Sequence, residues 1–353
     1  MIVFFLMGKL GVLTSGGDAP GMNAALKHIH TLAEEEGTEV LSALEGYKGL
    51  YGGDFAKFTA ESLDPYVGRG GSIIRCSRFP EFADPGIRRK AVYNLINNKI
   101  DKLIVIGGDG SFRGLSALSK ETDTAMVGIP GTIDNDLDCT HYTLGFDSAV
   151  DGNVNTFVPW DRDANYSQGR VVIAEVMGRH CGRLAHEVAK RSNADILIAP
   201  ELGLSKSEMK QHVFREILHL QEIGQRDITI VAAENFLDLE QLAKEIREVT
   251  GQECKLCVHS QAQRGAPATS IDQEYARRFS EMAVLAPQKH QAQVVTVNPE
   301  GEMGIKSIEG AISEGSRERS VYQMPRRTEP YISDYMEMAE KFRVRDVEST
   351  IGD

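Results

Sequence analysis

Leu103-Ile-Val-Ile-Gly-Gly-Asp-Gly-Ser111 decides the fold. Four apolar residues, reading as a strand buried on both faces, run straight into a glycine-rich turn that carries a carboxylate. Met126-Val-Gly-Ile129 opens in the same way into Pro130-Gly-Thr-Ile-Asp-Asn-Asp136, and Lys9-Leu-Gly-Val-Leu13 into Thr14-Ser-Gly-Gly-Asp-Ala-Pro-Gly-Met-Asn23. Outward from these, apolar runs at 40–41, 171–176, 196–199, 228–232 and 256–258 alternate with helical patterns over 20–36, 86–97, 206–223 and 239–249. Such alternation predicts an α/β fold, with parallel sheets flanked by helices and ligands at the carboxyl ends of the strands. Gln293-Val-Val-Thr-Val297 and Met303-Gly-Ile-Lys306, around Asn298-Pro-Glu-Gly-Glu302, read as a hairpin.

The turns have a chemical reading of their own. Three glycines at 107, 108 and 110 leave the backbone bare and able to take positive φ, so amide N–H groups can approach a polyphosphate. Asp109 is placed to meet phosphate-bound Mg2+, which keeps several waters and takes one or two protein carboxylates. Asp134 and Asp136 suit proton transfer, and together the two turns hold the equipment of a phosphoryl-transfer site. The first turn, at Gly16 and Gly17, brings backbone donors to a helix that Pro20 can start. It is neither a P-loop nor the dinucleotide fingerprint Gly-x-Gly-x-x-Gly.

These motifs, with Arg78-Phe-Pro-Glu-Phe82, Val176-Met-Gly-Arg-His-Cys-Gly182, Pro200-Glu201 and Gln263-Arg-Gly265, occur in an order that resembles the phosphofructokinase family, and most closely its bacterial ATP-dependent members. The resemblance runs from about Lys9 to about Ala286. It implies phosphorylation of the 1-hydroxyl of fructose 6-phosphate by MgATP in a cytoplasmic glycolytic enzyme. Asp134 is then the general base, with Asp136 and Thr132 orienting substrate and metal-bound phosphate. Asp109 would meet Mg2+, while Gly17, Arg78, Phe79, Gly108, Gly110 and Ser111 line the nucleotide. Arg179 would balance charge on the transferring group, and Met177, Gly178, Glu234 and Arg264 hold the sugar. Arg170 and Lys255 match positions that serve the sugar 6-phosphate, Arg170 that of a neighbouring subunit, so a homo-oligomer is implied, a tetramer in the family. Pyrophosphate-using members carry Asp where this chain has Gly110 and Lys where it has Gly131, which makes this chain an ATP user by resemblance.

The family also implies two similar Rossmann-like domains. The larger, ATP-binding one is placed at 1–146 plus about 263–313, and the smaller, sugar-phosphate-binding one at 147–262 plus about 314–353. Charge in the tail, at Ser316-Arg-Glu-Arg319 and Pro325-Arg-Arg327, reads as a solvated extension.

Departures from the family pattern matter as much. Gln261 stands where a histidine usually touches the 6-phosphate, and Lys255 where an arginine stands; lysine lacks the bidentate fork and glutamine cannot be cationic. His259 shares a strand face with Gln261 and is read either as a compensating cation or as a half-buried histidine. Lys27 and Arg162 match two basic effector positions, but Thr31, Gln225 and Asp227 fall on others, predicting weak or altered allostery. A kinase for another sugar phosphate, or a non-catalytic sugar-phosphate sensor, are the alternatives these residues raise.

Composition fits this class. At 353 residues, 41% hydrophobic and 25% charged, the chain can form two domains, and a net charge of −12 argues against nucleic acid or an anionic membrane as partner. No apolar run reaches the ~18 residues of a membrane span. Met1-Ile-Val-Phe-Phe-Leu6 lacks a basic flank and reads as a short extension. Five scattered cysteines read as reduced thiols; Cys254 and Cys257 have metal-ligand spacing but sit on a strand, where residues three apart face opposite ways. Trp160 is expected to be a packing residue.

Overall fold

A computed structural model describes residues 8–287 and 291–312. The extension expected at 1–6 and the tail beyond 312 lie outside the described residues. Eleven strands are described: β1 (Lys9–Thr14), β2 (Val40–Ala43), β3 (Phe55–Ala56), β4 (Ile100–Gly107), β5 (Ala125–Pro130), β6 (Val171–Val176), β7 (Ile196–Ile198), β8 (Ile228–Ala233), β9 (Cys254–Val258), β10 (Gln293–Val297) and β11 (Met303–Ser307).

The described residues fall into two compact units. One takes those of Met1–Asn153 and Gln261–Glu314, the other Val154–Ser260. The first is built on a seven-stranded sheet ordered β11-β10-β5-β4-β1-β2-β3, parallel except at β2/β3 and in the β10/β11 hairpin. Runs such as Leu103, Ile104, Val105 and Ile106 are fully buried because helices cover both faces of the sheet. On one face Phe112, Leu115 and Leu118 of helix Asp109–Ser119 and Ala91 and Leu95 of helix Pro85–Asn97 close the core. The second unit carries a four-stranded parallel sheet, β7-β8-β6-β9, packed by Met209, Val213 and Ile217 of helix Lys206–Glu222 and by Leu242 and Ile246 of helix Leu239–Thr250.

The helices begin where local chemistry allows. Asp84 accepts from the N–H groups of Gly86 and Ile87, and Ser205 and Glu208 form a reciprocal capping box. The first helix starts at Met22 rather than at Pro20. Gly21, at φ 89°, is its left-handed N-cap, so Pro20 belongs to the preceding turn.

Candidate active site

In the first unit the pairing Thr14 with Ile106 and Gly107 with Pro130 brings the carboxyl ends of β1, β4 and β5 level. Strand order reverses between β1 and β4, since the chain runs outward from β1 both to β2 and to β4 and β5. Such a reversal opens a crevice at the strand ends, and all three glycine turns stand there.

The glycines work by absence of bulk. Gly108 is extended, with φ −98° and ψ −163°, and none of Gly107, Gly108 and Gly110 takes the left-handed conformation that the sequence allowed. A Cβ on Gly107 would stand 2.7 Å from the Ser15 carbonyl oxygen, whereas at Gly110 nothing among the described residues lies within 4 Å. Asp109 is the first residue of helix Asp109–Ser119, where the dipole favours its charge, and its Oδ2 accepts from Arg113 Nε at 3.0 Å. Ser111 is buried, its carbonyl accepting from the Tyr47 hydroxyl at 2.7 Å.

Gly17 lies against Arg264: a Cβ there would come within 2.6 Å of Arg264 Nη1, which donates to the Asp18 carbonyl at 3.2 Å. Arg78 is exposed, while Phe79 is half-buried, 5.7 Å between ring centres from Tyr51. Within Pro130–Asp136, Asp134 is buried and its N–H donates to Thr132 Oγ1 at 3.3 Å; Thr132 is buried and Asp136 half-buried. Asn135 is left-handed at φ 47°, a conformation held by its side-chain amide on the His141 carbonyl and by the Thr143 hydroxyl on its Oδ1.

Among the described residues no group of three or more His, Cys, Asp or Glu could cage a metal. One helix-start carboxylate beside an open glycine fits an ion that arrives on a phosphate and needs few protein ligands.

In the second unit β6 and β8 end level, Val176 opposite Ala233. The turn after β6 is strained: Gly178 sits at φ 138° and Arg179 at φ 60°. Glu234, just past β8, holds it, its Oε1 accepting from the N–H groups of Arg179 at 2.7 Å and Gly178 at 3.2 Å, while Asn235 donates to the Arg179 carbonyl. Met177 is buried beneath and the Arg179 side chain is exposed. Glu201, whose carboxyl is pushed up by burial, accepts from Gly182 N–H at 2.6 Å at the far end of the same turn. Arg170 has its Nε and Nη2 on Glu253, both at 2.9 Å, and its Nη1 on Asn165 Oδ1 at 3.3 Å. Lys255 and Gln261 are exposed.

His259 is half-buried, its Nε2 2.8 and 3.0 Å from the two oxygens of Asp161 and its ring stacked on Phe157. The imidazole is thus engaged inside the second unit. Burial pushes the Cys254 and Cys257 thiols up to about 12, and none of the five cysteines, all among the described residues, is in a disulfide. Trp160 departs from expectation: it is 66% exposed. Lys27 is committed to Asp64 Oδ1 at 2.6 Å and the Ala60 carbonyl at 2.8 Å, and Arg162 lies 3.7 Å from Asp163.

Sequence reasoning missed Glu253 and Asp161 as partners of Arg170 and His259. They lie 83 and 98 residues away along the chain, beyond any local pattern.

The phosphofructokinase family model matches residues 9–286. The chain belongs to the phosphofructokinase family. Among curated family members it is 39% identical over 279 residues to the ATP-dependent 6-phosphofructokinase of Vibrio parahaemolyticus, covering 79% of this chain and 85% of that one. To the protein of the same name from Actinobacillus succinogenes it is 35% identical over 337 residues, 95% and 99% of the two chains. It superposes on phosphofructokinase from Saccharomyces cerevisiae with a TM-score of 0.79 at 27% identity, covering 95% of this chain and 47% of that one; it spans about half the length of this solved relative. No helix among the described residues is long and apolar enough to cross a membrane.

Proposed function

We infer that the protein is an ATP-dependent 6-phosphofructokinase, moving the γ-phosphoryl group of ATP to the 1-hydroxyl of fructose 6-phosphate. One observation carries the reading: the level ends of β1, β4 and β5 place the bare turns at 16–17 and 107–110 beside the carboxylate-bearing segment 130–136. The names of relatives aligned over 79% and 95% of the chain support it.

Phosphoryl transfer asks the protein mainly for position and charge. Gly17, Gly108, Gly110 and Ser111, with Arg78 and Phe79, take the nucleotide. The open space at Gly110 leaves room for the α-phosphate. At Gly131 a Cβ would stand 2.9 Å from Ile106 Cγ2 and 3.3 Å from Met22 Cε, so a lysine like that of pyrophosphate users would force these side chains to shift. Asp109 would hold Mg2+, which neutralises charge on the transferring group. Asp134 takes the proton from the acceptor hydroxyl as general base, and Thr132 and Asp136 orient acceptor and donor around it. Arg179 supplies a positive charge for the transferring group; the clamp of Glu234 on its backbone fixes where that side chain starts. Met177, Gly178, Glu234 and Arg264 take the sugar. Arg170, Lys255 and Gln261 take the 6-phosphate, Arg170 and Lys255 reaching a neighbouring subunit's substrate in a homotetramer. The protein works in the cytoplasm, with no nucleic acid or membrane as partner.

The test is a coupled assay of purified protein with fructose 6-phosphate and either MgATP or Mg-pyrophosphate, with Asp134→Asn beside it. Turnover with ATP alone, reduced about 10^2- to 10^4-fold in the variant, is the expected result. Wild-type protein that turns over neither donor overturns the reading and directs attention to other sugar phosphates.

A further inference from the structure

Asp272 lies outside every role given above, yet it is fully buried and its carboxylate accepts four hydrogen bonds. The Tyr142 hydroxyl and the Gly145 N–H reach Oδ1 at 2.8 and 2.7 Å; the Ser148 N–H and hydroxyl reach Oδ2 at 2.9 and 2.5 Å. A fourfold acceptor of this kind, sealed from water, fixes its donors tightly. Those donors bracket one segment, 142–148, at both ends.

The middle of that segment is what touches the candidate catalytic turn. The Thr143 hydroxyl, also fully buried, donates to the Thr132 carbonyl at 2.6 Å and to Asn135 Oδ1 at 3.3 Å. Leu144 N–H donates to the Pro130 carbonyl at 2.9 Å, and Leu144 bridges Gly131. The residues on either side of Asp134 are therefore held by Thr143 and Leu144, which are held in turn by Asp272. The base of the anchor is firm: Asp272 sits in the first turn of helix Ser270–Leu285, whose N-cap Thr269 ties to Asp147 Oδ2 at 2.8 Å and to the Ser148 hydroxyl at 3.0 Å.

We propose that Asp272 is a positioning residue for phosphoryl transfer, setting the placement of Thr132 and Asp134 through the segment 142–148. The inference rests on the kinase reading above. A general base must stay within hydrogen-bond reach of the attacking hydroxyl, and a shift of about 1 Å costs on the order of 10^2-fold in rate. Asp272 touches neither the nucleotide turn at 107–111 nor the second unit's turn at 177–179 in any hydrogen bond described, so its loss should be felt in the chemical step and not in nucleotide affinity.

The experiment compares wild type, Asp272→Asn, Tyr142→Phe, Thr143→Val and the double variant Tyr142→Phe/Thr143→Val, measuring kcat, KM for MgATP and KM for fructose 6-phosphate separately. Wild-type turnover comes first; without it the kinase reading fails, and the positioning role with it. With wild type active, Asp272→Asn lowers kcat about tenfold or more while KM for MgATP stays within about twofold. Tyr142→Phe takes one donor from Oδ1 and Thr143→Val takes the hydroxyl that reaches Thr132, so each lowers kcat several-fold. Because both act along one path, the double variant loses less than the product of the two single losses. A folded Asp272→Asn with kcat within twofold of wild type overturns the proposal. Should that variant fail to fold, unchanged kcat in Tyr142→Phe and Thr143→Val, or fully multiplicative losses in the pair, overturns it on its own.

Discussion

At the residue scale, the proposed choice of phosphoryl donor turns on two missing side chains, at Gly110 and Gly131, and the first is the simpler to test. Gly110 faces open space at the start of a helix, so an aspartate would fit sterically and act by charge alone. Gly110→Asp should raise KM for MgATP at least about tenfold, equivalent to ~1.4 kcal/mol, and leave KM for fructose 6-phosphate within about twofold. An unchanged KM for MgATP in the steady state would remove Gly110 from the nucleotide's path. Residues of this kind were legible in the sequence because they are neighbours in it: strand, glycine turn and carboxylate lie within nine positions of 103–111. Arg170 was legible as a cation that the family resemblance assigns to a neighbouring subunit's 6-phosphate, but not as half of an ion pair. Its partner Glu253 occupies the guanidinium fork from another part of the chain, and nothing in either local sequence announces the pair.

At the scale of elements, Lys102 shows how a strand and a helix far apart in sequence depend on one cation. Its side chain, 1% exposed, runs from β4 to the end of helix Ser270–Leu285, where the ammonium donates to the Val284 and Ala286 carbonyls at 2.6 and 2.9 Å. Those carbonyls are helix-terminal orphans, and a positive charge suits the negative end of the helix dipole. Burial nevertheless pulls the lysine down to about 8. Below that pH folded and unfolded chains both carry the proton; between about 8 and the ordinary lysine value only the unfolded chain does, so stability rises as pH rises across that window. Relative to Lys102→Met, the urea-derived stability of wild type should gain on the order of 2 kcal/mol from pH 7.5 to 10. Parallel pH profiles for the two proteins would show that the ammonium is not desolvated. All the described strands except the two-residue β3 were readable to within a few residues, because short apolar runs bounded by glycine and turn residues favour buried strands over helices. The start of the first helix was misplaced by two residues because Pro20 and Gly21 both signal a boundary, and only the left-handed φ of Gly21 says which one makes it.

At the scale of the whole molecule, the proposed sharing of the 6-phosphate site has a sharp consequence. If Arg170 serves a neighbour, a chain with Arg170→Ala and a chain with Asp134→Asn each lack a different half of one site. Refolded together in equal amounts, they should recover on the order of a quarter of wild-type activity, since a mixed pair rebuilds one complete site of two. Each alone should stay nearly inactive at low fructose 6-phosphate. A mixture no more active than the sum of its components would confine Arg170 to its own subunit. The grip of Glu253 on Arg170 adds a second expectation: Glu253→Gln frees the fork for phosphate, and KM for fructose 6-phosphate should fall about threefold or more. An unaltered or raised KM would mean the pair orients Arg170 rather than restraining it. Of this level the sequence revealed the strand alternation that dictates two α/β sheets, but not which charges neutralise one another, because pairing depends on how strands from distant segments come into register.

Trp160 is the chain's single tryptophan and stands two-thirds exposed on helix Val158–Tyr166. The molecule therefore carries its own optical probe at one known address. Indole in water emits further to the red than indole in a dry contact, so a blue shift on raising protein concentration would register anything that covers this face. An emission maximum indifferent to dilution, substrate and salt would mark the helix as permanently wetted.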